Sequence, residues 1–421
     1  MKYENTYVWL ENVCARIRNQ ELGKLFRSCF LSTLTTTVRE KEDGTTYVLT
    51  GDIPAMWLRD SSSQVNPYVR LCAVDADMKT MVRGVLARQF FYIGIDPYAN
   101  AFNEAPNGHG HKDITERNDW VWERKFEIDS LCYPLWLSEK YYAATGDVTL
   151  FDARFRQTVQ TILDVFETEQ HHAEKSAYTF MREGHVCDTL ENNGRGGACR
   201  PCGLVWSAFR PSDDKNHFAY LIPSNMFIVS VMRFLIRVFT EIAPDPVLEK
   251  RCKRLKTDVE KGLRECATTE TEEGCIYVYE ADGLGNCFIA DDANMPSLLS
   301  IPYFTGNTND PVYASTRKYL LSSKNRYYYE GKYARGIGSP HTPENYIWHL
   351  GLIVQGLTAE SPEEKTDILR MLMATHSGTY HMHEGFHKDN PTQYTREWFG
   401  WADSLFAKFV MDNFDLFKDM E

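Results

Sequence analysis

The chain has 421 residues, 43% hydrophobic and 25% charged, without a low-complexity run; it can bury a large core, which excludes a disordered or fibrous protein. A net charge of −12 with no basic stripe excludes nucleic acid as a partner, because phosphate binding needs concentrated Lys and Arg. Eleven cysteines, an odd number at irregular spacing, do not form a disulfide framework.

Met1-Lys2-Tyr3-Glu4-Asn5 carries no leader pattern, and the apolar runs read as too short to cross a bilayer. A reduced cytoplasmic protein without membrane association is expected. An amphipathic helix over 8–32 and a short strand over 45–50 come first; Trp57-Leu58-Arg59-Asp60 then opens a helix over 61–72 with few charges. An amphipathic helix over 76–91 leads to Glu127-Ile128-Asp129 and an apolar helix over 130–145, with Gly146 as its stop. After another amphipathic helix over 148–168, Ile222-Pro223-Ser224-Asn225 opens an apolar helix over 224–240, with Ser224 as its cap. Asp245-Pro246 starts a helix whose stripe is Leu248, Cys252, Leu255, Val259 and Leu263. A strand over 275–279 precedes Asp291-Asp292-Ala293-Asn294 and a helix over 294–304. An amphipathic helix over 311–322 and a strand over 327–333 follow. Ser339-Pro340-His341-Thr342-Pro343-Glu344 opens a helix over 343–357, with Thr342 as cap and Pro343 in first position. An amphipathic helix over 361–374 comes next, and Arg396-Glu397-Trp398 opens the last helix, over 397–412.

One syntax thus recurs six times: a polar stretch, then a helix with few charges. A helix apolar all round is buried, whereas an amphipathic one faces water. About twelve helices in alternation therefore predict an all-α fold with an inner ring of six inside an outer ring of six. This is an (α/α)6 barrel with short β-hairpins in its loops, a single domain over 1–421. In such a barrel the six polar stretches share one mouth.

That mouth would hold carboxylates, Arg, Trp, Asn and His, with no serine elbow and no Gly-rich phosphate loop. The Cys199-x-x-Cys202 pair lacks the second ligand pair of a structural zinc, and His109 and His111 have no completing ligands, so neither a metal nor a cofactor is expected. Arg210-Pro211-Ser212-Asp213-Asp214 and Arg396-Glu397-Trp398 supply carboxylates from separate loops. Two such groups across a polar cavity suit glycoside hydrolysis: one protonates the leaving oxygen, the other takes a proton from water or attacks directly. Each group also has a plainer reading. An Asp-Asp pair caps helices, Glu397 suits a helix N-terminus, Arg59-Asp60 is an internal ion pair, Glu127 and Asp129 are structural, and Trp57, Trp398 and Trp401 are core.

The block from Gly51 through Trp57-Leu58-Arg59-Asp60 to Ser61 resembles glycoside hydrolase family 125. So do Trp122 through Glu127-Ile128-Asp129 to Pro134, Phe209 to Asp214, Ile222 to Phe227, Asp292 to Leu299 and Gly338 to Pro343. These blocks are long, in order and spread over nearly the whole chain; only 183–203, with Cys199 and Cys202, and the His-rich 376–390 stand outside them. The resemblance implies an (α/α)6 exo-α-1,6-mannosidase acting by inversion without a metal on N-glycan-type oligosaccharides. Carried over, one of Asp213 and Asp214 is the general acid, with Asp213 the first choice because the acid of related barrels commonly leads such a pair. Glu397 is the base. Arg59 and Asp60 resemble the pair that grips the terminal sugar; Trp57, Glu127, Asp129, Asn225, Asn294 and His341 join the same pocket. The rivals are an (α/α)6 epimerase or isomerase working through histidines, a mannose-binding relative without turnover, and a terpenoid cyclase, which would want a drier cavity.

Overall fold

The computed structural model describes residues 2–184 and 186–420. Half of the chain is helical, and the residues divide into two compact units.

The first unit comprises Met1–Gln89, Leu137–Asp147 and Tyr328–Glu421. The segment read as one helix over 8–32 is two, Glu4–Cys14 and Gln20–Ser32, because the Asn19 side chain caps the second by accepting from the Leu22 amide at 3.0 Å. Leu58–Val65 is buried at every residue and tightens into a 3-10 turn over Asn66–Ala73. Gly400–Asp412 packs on Gln20–Ser32, on Leu58–Val65 and on the apolar helix His349–Leu357. Gly51 (φ 143°) forms a bridge with Phe399; a Cβ there would stand 2.3 Å from the Trp398 carbonyl oxygen, so only glycine permits it.

The second unit comprises Phe90–Trp136 and Val148–Tyr327. Its core helix, Ile222–Arg237, lies along Pro246–Cys266 and Ile301–Thr305. Three of its helices start with an aspartate cap: Asp152 on Phe155, Asp245 on Val247 and Leu248, and Asp310 on Val312 and Tyr313. In the last two a proline takes the first position, where no N–H is needed. Leu248, Cys252, Leu255 and Val259 are buried as their spacing predicts, while Leu263 is half-buried.

The three hairpins read from sequence are present: Thr46–Val48 pairs with Val38–Glu40, Gly274–Tyr277 with Thr268–Thr271, and Tyr328–Glu330 with Arg335–Ile337. Unforeseen strands lead straight into helices and displace the expected starts. Tyr346–Trp348 pairs with Gly385–His387, so the helix read from 343 begins at His349 and Thr342 caps nothing. Tyr220–Leu221 pairs with Glu280–Ala281, so the core helix begins at Ile222 and Ser224 lies inside it. The 294–304 helix shrinks to Ile301–Thr305, because the Asp291 carboxylate takes the Leu298 and Leu299 amides at 2.8 and 2.9 Å. The final helix begins at Gly400, three residues beyond Glu397. One expectation on apolar runs is also corrected: Ile222–Ile242, a helix closing in a π turn, is long and apolar enough to cross a membrane. It has 72% of that window buried inside the protein, as a core helix does.

Asp245→Ala removes a cap of two backbone amides and the Arg156 partner at 3.0 Å. It should lower stability by about 1 kcal/mol in urea unfolding.

His349 is fully buried, its Nδ1 accepting from the His383 amide at 2.9 Å and its Nε2 facing Thr375 Oγ1 at 3.2 Å; burial pushes its pKa down to about 3. The unfolded ring takes up a proton near pH 6.5 that the folded ring refuses. His349 therefore contributes stability above that pH, and the contribution falls by up to about 1.4 kcal/mol per pH unit as pH drops toward 3. His349→Gln should give a shallower loss of urea midpoint between pH 6.5 and 4.5 than the parent shows.

Candidate active site

In the first unit, Trp57 is the residue before the Leu58–Val65 helix, which places Arg59 and Asp60 in its first turn. Both are buried. Arg59 Nη1 meets Asp60 Oδ2 at 2.7 Å, Thr50 Oγ1 donates to Asp60 Oδ1 at 2.5 Å, and the guanidinium lies 5.2 Å from the centre of the Trp401 ring. A buried charge needs such pairing. The buried indole nitrogens of Trp57, Trp398 and Trp401 have no hydrogen-bond partner among the described residues, so three donors are available to a polar ligand.

Glu397 is exposed and lies in the loop before Gly400–Asp412 rather than in that helix's first turn, so the dipole reading is corrected. The residue before it, Arg396, is left-handed (φ 44°), an unfavourable conformation for a side chain of that size. Its neighbours hold it there. Nε and Nη2 reach Asp52 Oδ1 at 3.0 and 2.6 Å, Glu384 stands 3.6 Å away, and the guanidinium covers the Phe399 ring at 4.4 Å. His381 Nδ1 contacts the buried Asp403 Oδ2 at 2.8 Å; that hydrogen bond, with the Glu397 charge among smaller contributions, raises the imidazole's pKa. His383 stacks on Tyr394 at 3.8 Å, whereas His341 is exposed, its ring 6.3 Å from that of Trp348.

In the second unit, Phe209 and Lys215 bridge across a tight turn in which the Arg210 amide donates to the Asp214 carbonyl and the Asp213 amide to the Arg210 carbonyl, at 2.8 and 2.9 Å. Asp213 sits at the tip with φ 69°, half-exposed, and Asp214 is buried. Beneath it the buried Lys125 donates to the Asp213 carbonyl and to Asp188, both at 2.6 Å. Burial opposes the ammonium, but Glu123, Asp213 and Asp188 outweigh it and hold the pKa above the usual lysine value. Arg182 extends this network to Asp113 and Glu123 at 2.6 and 2.7 Å. On the other side Arg210 Nε meets Glu280 at 2.7 Å, and Ser212 donates to Asp292 at 2.5 Å.

Glu127 and Asp129 are buried at the start of Ile128–Thr145; Glu127 accepts from Asn100 at 3.3 Å and from Ser130 at 3.1 Å. Asn294 is buried with its amide nitrogen unpartnered among the described residues. Asn225 departs from its expected place. Its oxygen accepts from the Val205 amide and its nitrogen donates to the Val205 and Leu221 carbonyls, at 2.8, 3.1 and 3.0 Å, so the amide clasps loop to helix and has no donor left for a sugar. Lys125, Arg182, Asp188, Asp52 and Asp403 escaped the sequence reading because each pairs with a residue remote in the chain. The same-charge pair Asp213-Asp214, the adjacent Arg396-Glu397 and Arg59-Asp60, and the Glu127-Ile128-Asp129 stretch were the local signals. Among the described residues, no three His, Cys, Asp or Glu side chains are placed to share a metal ion.

Carboxylates displayed on strained turns, with Arg and Trp donors at helix entrances, are the equipment of a glycoside hydrolase. The family model described as metal-independent alpha-mannosidase, glycoside hydrolase family 125, matches residues 19–411, and the chain belongs to that family. It is 44% identical to a Streptococcus pneumoniae metal-independent alpha-mannosidase, solved in a non-productive complex with alpha-1,6-mannobiose. The TM-score is 0.95, over 97% of this chain and 98% of that one. It is also 35% identical to the meiotically up-regulated gene 157 protein of Schizosaccharomyces pombe, over 96% of this chain and 84% of the relative. A bacterial glucoamylase complexed with acarbose shares the fold alone, at 11% identity and a TM-score of 0.59, over 97% of this chain and 58% of that one.

Asp52→Ala frees the guanidinium that holds Arg396 left-handed beside Glu397. Turnover of a mannoside should fall roughly 10- to 100-fold, the loss that a misplacement of about an ångström typically causes, with a smaller change in KM. An unchanged kcat would show that the clasp does not position the loop.

Proposed function

We propose that this protein is an exo-acting α-1,6-mannosidase that removes non-reducing terminal mannose from N-glycan-type oligosaccharides with inversion. The observation that carries this reading is the 44%-identical relative, of matching length and fold, bound to alpha-1,6-mannobiose. The proposed architecture is a single (α/α)6 barrel over the whole chain; the glucoamylase likeness supports that arrangement of helices. The proposed setting is the cytoplasm, a reading supported by eleven cysteines, an odd number, at irregular spacing.

In the proposed mechanism Asp213 protonates the glycosidic oxygen, supported by its exposure at the tip of a strained turn, and its neighbour Asp214 is the alternative acid. Glu397, exposed on its own loop, removes a proton from the attacking water. Inversion places that water on the opposite face of the sugar, which calls for carboxyl groups roughly 6.5–9.5 Å apart rather than about 5 Å. Arg59 and Asp60 bind sugar hydroxyls; the indoles of Trp57 and Trp401, together with Glu127, Asp129, Asn294 and His341, complete the terminal subsite.

Proton NMR of α-1,6-mannobiose turnover in the presence of EDTA tests the reading. β-Mannose should appear first and then mutarotate. Release of the α anomer first would make Glu397 a nucleophile, and no release would refute the linkage. Glu397→Gln should lower kcat at least about 100-fold on every substrate, the usual contribution of a general base. Asp213→Asn should abolish turnover of the disaccharide yet spare a dinitrophenyl mannoside, whose leaving group needs no proton. If Asp214→Asn shows that pattern instead, Asp214 is the acid.

A further inference from the structure

Ser28, His381 and Asp403 meet in the first unit. They come from Gln20–Ser32, from the segment before Gly385–His387 and from the first turn of Gly400–Asp412. Ser28 Oγ lies 3.2 Å from His381 Nε2, and His381 Nδ1 lies 2.8 Å from Asp403 Oδ2. A carboxylate only accepts, so Nδ1 carries the proton of the neutral ring and Nε2 is left to accept from the Ser28 hydroxyl. Asp403 is wholly buried. Its other oxygen accepts from the Met382 amide at 2.7 Å and from the Cys29 thiol at 3.3 Å, which fixes the carboxylate behind the ring. The His381 amide donates to Thr379 Oγ1 at 3.2 Å and so steadies the backbone that carries the ring. Ser28 is half-buried and the His381 side chain is 37% exposed, and both line a surface cavity of about 550 Å³. None of the residues proposed for mannoside hydrolysis lines that cavity, and that reading gives the three no role.

We infer that Ser28, His381 and Asp403 form a second hydrolytic site, a serine esterase centre for carboxylic esters of small alcohols, which a cavity of this volume admits. The nucleophile touches the base, and a buried carboxylate orients the base through its other nitrogen. That order of hydroxyl, imidazole and carboxylate activates serine on unrelated folds. His381 Nε2 takes the hydroxyl proton as Ser28 Oγ bonds to the ester carbonyl carbon. The tetrahedral adduct collapses, the bond to the alcohol oxygen breaks, and His381 passes the proton to the departing alcohol. Water then adds to the acyl-serine carbonyl and gives its proton to His381. The bond from Oγ to the acyl carbon breaks, Oγ recovers the proton, and the acid leaves. One ester and one water become one acid and one alcohol, with nothing oxidised or reduced. Lys24 stands in the same cavity wall and gives one of its three donors to Glu21 at 2.7 Å. Its ammonium brings positive charge to the side of the cavity where the carbonyl oxygen becomes an anion.

The test is reaction of the full-length protein with diisopropyl fluorophosphate, whose fluoride an activated serine oxygen displaces, followed by peptide mapping by mass spectrometry. A phosphoryl label on Ser28 is the expected result. Its rate of formation should fall at least about 100-fold in His381→Gln, the usual contribution of a general base. Ser28→Ala should lose the label and slow hydrolysis of p-nitrophenyl acetate at least about 100-fold. Its mannoside turnover should match that of the parent, which shows that the variant has folded. An unlabelled protein, a label on another residue, labelling of His381→Gln at the parent rate, or unchanged ester hydrolysis by Ser28→Ala would each overturn the inference. The wild-type map and Ser28→Ala decide the matter even if His381→Gln fails to fold.

Discussion

A buried ammonium is held under the Asp213-Asp214 turn, and the geometry of that turn depends on it. Lys125 is fully buried, and burial alone would drive off its proton. It stays charged because Glu123, Asp188 and Asp213 stand around it and because its donors are used by the Asp213 carbonyl and the Asp188 carboxylate. Arg182 then shares Glu123 and Asp188 and brings in Asp113. Breaking one member of a buried set of this kind typically costs about 3–5 kcal/mol, more than the net worth of the pairs themselves. The network therefore acts through specificity: it defines where the turn's backbone must run, and so where two aspartates are displayed.

The Glu397 loop reaches a similar outcome by another route. Here the cation is Arg396 itself, whose left-handed backbone would relax without the Asp52 carboxylate, the Glu384 charge and the Phe399 ring. In both loops a non-glycine residue with positive φ lies at or beside the carboxylate proposed for catalysis, and in both a buried or clasped cation holds the strain. Strain that the surroundings over-determine is characteristic of sites where a group must be presented rather than packed away. Arg59-Asp60 illustrates the complement. It is a buried pair on a regular helix, closed on one side by Thr50 and overlain by Trp401, and rigid without strain.

Metal-independent hydrolysis makes these arrangements chemically intelligible. With no Lewis acid to polarise the leaving oxygen, proton delivery and charge stabilisation must come from side chains, whose positions then matter to fractions of an ångström. The charge networks account for how this chain holds the carboxylates proposed for that chemistry.

Much of the fold was legible in local sequence. Asp-Pro caps, the Leu248-Cys252-Leu255-Val259 stripe, the Gly146 stop and the three hairpins depend on residues a few positions apart, and period and cap chemistry encode them directly. The expected helix starts at 224 and 343 moved to 222 and 349 because the strands before them are completed by partners tens of residues away, which no local signal announces. The carboxylates Asp213, Asp214 and Glu397 stood out as motifs, yet the strained backbones of Asp213 and Arg396 and the cations of their loops did not. Asn225 shows the limit most clearly. Its sequence context suggested a ligand-facing amide, but packing against Val205 and Leu221 consumed both of its donors. By itself the sequence determined which residues could do the chemistry and which segments would be helical, since both depend on residue type and short-range spacing. Only the tertiary structure decided which polar groups remain available, because a buried donor or charge must find a partner, and that partner is set by packing between distant segments.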